Sequence, residues 1–203
     1  VSRLCLGTMN FGPLTGEADS FAIMDRALEV GINFFDTANV YEGYNRYLGS
    51  AGGVSEEIVG RAIRDRRDQV ILATKVCAPV GPGPQDRGLS AVHLLRELDR
   101  SLKRLQTDVI DLYIIHWPDK EVPLEVTLRA LDTAVQQGKI RCFGASNHSA
   151  WQLCEMLWLA DKYHLPRVIS SQIPFSMLRR EFQHELPFCR QHGIGVTPYQ
   201  SLQ

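Results

Sequence analysis

The sequence has almost no charge imbalance, few aromatics and no long apolar run, and each shortage removes a class of function. Across 203 residues, 22 Lys and Arg stand against 23 Asp and Glu, a formal net charge of -1. No overall field draws the chain to nucleic acid or to an anionic membrane. The apolar stretch around Val109–Ile115 is interrupted by Asp108 and Asp111; a membrane-spanning helix needs roughly 18 to 20 apolar residues. The cysteines (Cys5, Cys77, Cys142, Cys154 and Cys189) are odd in number and lack CxxC or CxxH spacing. That pattern opposes a disulfide framework or zinc site and fits a reducing, cytoplasmic setting, with cysteines and methionines serving packing. The opening VSRLCLGTMNFG has neither an initiating Met nor a signal-type pattern.

What is present is ordinary globular composition, 44% hydrophobic and 22% charged. Strand-length apolar runs recur at 3–6, 33–36, 69–75, 109–116, 140–144, 168–172 and 194–199. Helical spacing separates them: a helix capped by Asp19 and stopped by Gly31, then helices over 55–65, 90–105, 124–137, 150–163 and 181–192. Such alternation predicts a parallel sheet with crossover helices. The first strand is followed by GTMNFGPLTGE, without the GxGxxG of a doubly wound dinucleotide fold. The expectation is therefore one (β/α)8 TIM-barrel domain over 1–203, with the eighth unit outside the sequence. Two insertions, 44–53 and 78–88, follow strands on the face where barrels bind substrates.

Polar residues collect at predicted strand ends: Asp36 after INFF, Tyr41 five residues on, Lys75 after VILAT and His116 after LYII. Singly each has an ordinary role, as a turn or cap (Asp36), a rim aromatic (Tyr41), a snorkelling lysine (Lys75) or a structural histidine (His116). Together they suit carbonyl reduction, with the phenol as proton donor and the imidazole polarising the oxygen. An ammonium from Lys75 favours the phenolate of Tyr41, and Asp36 keeps Lys75 charged. Ser146 and Asn147 after the fifth strand, and Gln172 ending the sixth, suit a carboxamide ligand or simple capping. Tyr199 suits ring stacking or an interior layer.

With these residues assembled, the chain resembles the aldo-keto reductase superfamily. The resemblance rests on LCLGTMNFG, GINFFDTANVY, SEEIVGRAI, VILATKV, LDRSLKRLQTDVIDLYIIHWPD, GKIRCFGASN and the segment from SSQIPF to TPYQSL. It implies a catalytic tetrad of Asp36, Tyr41, Lys75 and His116, and NADPH as hydride donor. It also implies that Ser146, Asn147 and Gln172 hold the carboxamide, Tyr199 stacks on the nicotinamide, and Gln200, Ser201 and Leu202 begin the pyrophosphate loop. Thr8 and Met9 are then expected on the cofactor side and Trp117 on the substrate wall. The preference for NADP over NAD is implied by the family alone. The implied partner is a small-molecule carbonyl substrate; the family also contains cofactor-binding regulatory subunits of potassium channels, with little turnover.

Overall fold

The computed structural model describes residues 1–12, 14–42 and 52–202. All seven expected strands form: β1 (Cys5–Gly7), β2 (Phe34–Asp36), β3 (Ile71–Val76), β4 (Ile110–Ile115), β5 (Ile140–Ser146), β6 (Ser170–Pro174) and β7 (Gly195–Tyr199). They hydrogen-bond in chain order, and every pairing is parallel. The helices between them are α1 (Glu17–Glu29), α2 (Val54–Ile63), α3 (Ala91–Leu105), α4 (Leu124–Gln136), α5 (Ala150–Tyr163) and α6 (Leu186–Gln191).

Local chemistry explains where these helices begin and end. At α3 the Ser90 side chain accepts from His93 N, and the apolar stripe Leu94, Leu98, Leu105 turns inward. Gln106, in the left-handed region with φ 53°, then ends it. A capping box between Ser149 and Gln152 opens α5. Two predicted helices differ in detail. The first begins at Glu17 with Gly16 at the N-cap, so Asp19 is a first-turn acid facing the helix dipole rather than the cap. The last is divided into a 3-10 segment, Glu181–Glu185, and α6. Pro187, sitting in the first turn of α6, has no N–H to continue an α-ladder from the preceding turn.

One side-chain contact shows the sheet's curvature. Gln172 on β6 donates to Asp36 Oδ2 on β2 at 3.0 Å, although four strand spacings of a flat sheet would separate them by about 19 Å. The seven strands therefore roll into a nearly closed barrel, as a (β/α)8 architecture requires. Alternation along the strands gives it two apolar layers. Phe34, Ala73, Leu112 and Ile114 fill the interior, with Cys5, Ile71 and Cys142 against them. Phe35, Leu72, Tyr113, Ile115 and Phe143 face the helices in the larger core. Inside the barrel the strand ends then meet at one mouth, where the chemistry-bearing residues lie.

Candidate active site

The end of β2 and the loop after it converge on Lys75 of β3. Its side chain is fully buried near the end of β3, and all three ammonium protons are used. They go to Asp36 Oδ1 at 2.5 Å, the Thr37 carbonyl at 2.8 Å and Tyr41 Oη at 2.9 Å. Burial opposes the charge on Lys75, but Asp36 and Tyr41 together outweigh it and hold the ammonium above its ordinary pKa. The Asp36 carboxylate is shared between Lys75 and Gln172. The charge pair is thus buried and satisfied on both sides, as a water-excluded pair must be.

Tyr41 stands above this pair. Burial raises its phenol above the ordinary value, and the pull of the neighbouring Lys75 does not overcome it. The field expected from Lys75 is present, yet desolvation of a phenolate dominates, so the resting phenol keeps its proton. The His116 ring lies edge-on to Tyr41 with centroids 6.0 Å apart and stacks on Trp117 at 3.7 Å.

A cavity of about 530 Å³ opens over these groups, lined by Asp36, Tyr41, His116 and Trp117 among others. Ser146, Asn147, Gln172, Tyr199, Gln200, Ser201 and Met9 also face it. One amide organises the wall opposite Tyr41. Asn147 donates to the His116 carbonyl and to Ser146 Oγ, each at 3.0 Å, and accepts from the Tyr199 hydroxyl at 2.7 Å.

Two expected site residues stand elsewhere. Cys5 and Gly7 face the cavity, so strand alternation sends Thr8 the other way. Its buried hydroxyl bonds the Asp36 carbonyl at 3.0 Å and meets Ser55 Oγ at 2.8 Å. Thr8 supports the floor and does not line the cavity. Leu202 is wholly exposed in a turn beyond β7 and does not line the cavity. Of the two insertions, residues 44–51 lie outside the described residues, while 78–88 contributes Pro79, Pro84 and Arg87 to a second cleft of about 540 Å³.

A model of the aldo/keto reductase family matches residues 3–203. The chain belongs to the aldo/keto reductase family. It is 43% identical to an uncharacterized oxidoreductase, YrpG, of Bacillus subtilis, over 100% of this chain and 63% of that protein. It is 38% identical to the aldo-keto reductase YhdN of the same organism, over 99% of this chain and 58% of the relative. A probable voltage-gated potassium channel subunit beta of Arabidopsis thaliana is 36% identical over 100% of this chain and 60% of its own length. The chain thus spans about three fifths of the length of these curated relatives.

The aldo/keto reductase cavity also has walls that sequence reasoning did not assign: Cys5, Gly7, Asn10, Val40, Thr197 and Pro198. Cys5, expected to serve packing, does pack inside the barrel and also forms the cavity floor. Alternation counted back from Tyr199 would have placed Thr197 inward; Cys5 follows only from the β1–β2 register, which pairs it with Phe34, and nothing local marks Asn10 or Pro198. Among the described residues, no cluster of His, Cys, Asp and Glu is arranged to hold a metal. No helix there is long and apolar enough to cross a membrane.

Proposed function

We propose that this aldo/keto reductase reduces small aldehydes or ketones to alcohols with NADPH, using Tyr41 as proton donor. The observation that carries the reading is the 2.9 Å contact from the buried Lys75 ammonium to the Tyr41 phenol, with Asp36 2.5 Å behind it. The cofactor, when bound, supplies hydride to the carbonyl carbon. Tyr41 supplies the proton that the resulting alkoxide needs, and its resting phenol is proton-loaded. The Lys75 ammonium stabilises the phenolate left behind, and Asp36 keeps that ammonium in place. His116, which lines the cavity, orients the carbonyl oxygen toward Tyr41.

The wall residues fit a nicotinamide group by their donor set. Gln172, Ser146 and Asn147 present amide and hydroxyl groups to one side of the cavity. Both Asn147 protons are already used and Tyr199 takes one lone pair of Oδ1, so its remaining lone pair suits a carboxamide N–H. Tyr199 offers a ring for stacking, Trp117 an apolar wall for substrate, and Met9, Gln200 and Ser201 flank the path outward. The volume of about 530 Å³ lies within the range of small-molecule sites. The same reading assigns a cytoplasmic setting and makes Thr8 a support beneath the cofactor, not a contact.

The test follows NADPH absorbance beside NADH when the full-length protein meets a reactive aromatic aldehyde, with Tyr41→Phe as control. The expected result is consumption that prefers NADPH and is lost in Tyr41→Phe, while cofactor binding survives, because the proton is needed only in the transition state. Tight cofactor binding without turnover would shift the reading to a regulatory role of the kind the potassium-channel relative's name describes.

A further inference from the structure

The Tyr199 hydroxyl has no role in the proposed chemistry, yet it makes one of the shorter hydrogen bonds at the cavity, 2.7 Å to Asn147 Oδ1. Its acceptor is held by three hydrogen bonds that Asn147 donates. Asn147 has a left-handed backbone with φ 61°. Its N–H donates to the Gln172 carbonyl at 3.0 Å, and its side-chain amide donates to the His116 carbonyl and Ser146 Oγ. Next to it, the His148 ring meets the Ser146 carbonyl at 2.7 Å. The amide therefore cannot rotate to follow the phenol; the phenol must come to the amide. Along the chain these partners are far apart, with Tyr199 on β7, Asn147 after β5 and His116 after β4.

We infer that the Tyr199 hydroxyl is a positioning group: by donating to Asn147 Oδ1 it presets the ring as a stacking platform for the nicotinamide. This rests on the proposed function. A tyrosine ring free to turn about two side-chain torsions would have to be ordered when the cofactor binds, and that ordering weakens affinity. A ring already pinned to a fixed amide meets no such cost. The hydroxyl also lies on the same amide that grips the His116 backbone, so platform and imidazole share one anchor.

The test compares the full-length wild type, Tyr199→Phe, Asn147→Gly and the double variant. Glycine suits the left-handed backbone at 147, so this change removes the amide without straining the turn. NADPH affinity is read by fluorescence titration, and kcat with an aromatic aldehyde is read alongside. Tyr199→Phe keeps the ring, so the expected result is affinity about two- to tenfold weaker, the range of one net hydrogen bond, with the loss falling on affinity more than on kcat. In the Asn147→Gly background the same substitution then has no further effect, and ligand-free melting temperatures show the same coupling.

Unchanged or tighter binding in Tyr199→Phe overturns the inference, tighter binding meaning that the hydroxyl competes with the cofactor for Asn147. An equal loss in both backgrounds also overturns it, since the hydroxyl would then act independently of the amide. A wild type that binds no NADPH overturns the proposed function itself, and this role with it.

Discussion

A histidine outside the proposed tetrad sets a pH limit on the molecule. His148 is 3% exposed, and burial pulls its imidazole down from 6.5 to about 4, against the opposing hydrogen bond to Ser146. Above pH 6.5 the ring is neutral folded or unfolded and costs nothing. Between about 6.5 and about 4 the unfolded ring takes a proton that the folded ring refuses, so stability falls as pH falls. His93 is shifted in the same direction by its burial. In His148→Gln, which keeps a donor for the Ser146 carbonyl, the unfolding free energy should fall less between pH 7 and 4.5, by on the order of 2 kcal/mol. Urea unfolding at the two pH values measures it, and equal losses in both proteins would refute the assignment. His148 also shows where sequence reading of the site stops. Asp36, Tyr41, Lys75 and His116 were legible because strand ends of a barrel converge and their chemistry is complementary. His148 was not, because its role depends on a backbone carbonyl two residues back.

At the scale of elements, the strands and most helices were legible from periodicity, while their ends were decided by local exceptions such as Gly16 and Pro187. The contact between α2 and α3 was not legible at all. Gly60 on α2 lies so close to the end of α3 that a Cβ there would meet the Arg104 carbonyl at 2.4 Å and the Leu105 backbone at 2.7 Å. Nothing in a helix-interior glycine announces this, since its intrinsic effect is merely unfavourable. The closeness matters for the site because α2 carries Ser55, which bonds the Thr8 carbonyl and the Thr37 hydroxyl under Asp36. It also carries Glu56, fully buried between Thr74 and the Arg104 guanidinium at 2.5 and 2.6 Å. Gly60→Ala gains about 1 kcal/mol of helix propensity. It also forces backbone apart, for which overpacking costs about 1 to 3 kcal/mol. The contacts are with backbone, so the cost should win, with a lower urea midpoint and reduced turnover. A stabilised Gly60→Ala protein would show that α2 slides freely on α3.

For the whole molecule, the decisive feature is that cavity walls come from both ends of the sheet. Cys5 and Gly7 belong to β1, Thr197 and Tyr199 to β7, and Asp36, Ser146 and Gln172 to strands between. The sequence implied a barrel by lacking a doubly wound signature; the Gln172 to Asp36 bond across its interior is what no local pattern encodes. β1 and β7 stand at opposite ends of the strand order, so a ligand touching both spans the mouth of the barrel. Cofactor binding should therefore act on the sheet as a unit. At a hundred times its dissociation constant NADPH stabilises by about 2.7 kcal/mol, which for a chain of this size raises the melting temperature by about 5 to 10 °C. Hydrogen exchange should slow in β1 and β7 together, because both strands line the cavity that the ligand fills. Protection confined to β5–β7 would mean that the ligand does not reach across the barrel, and that the β1 side of the cavity lies outside its binding site.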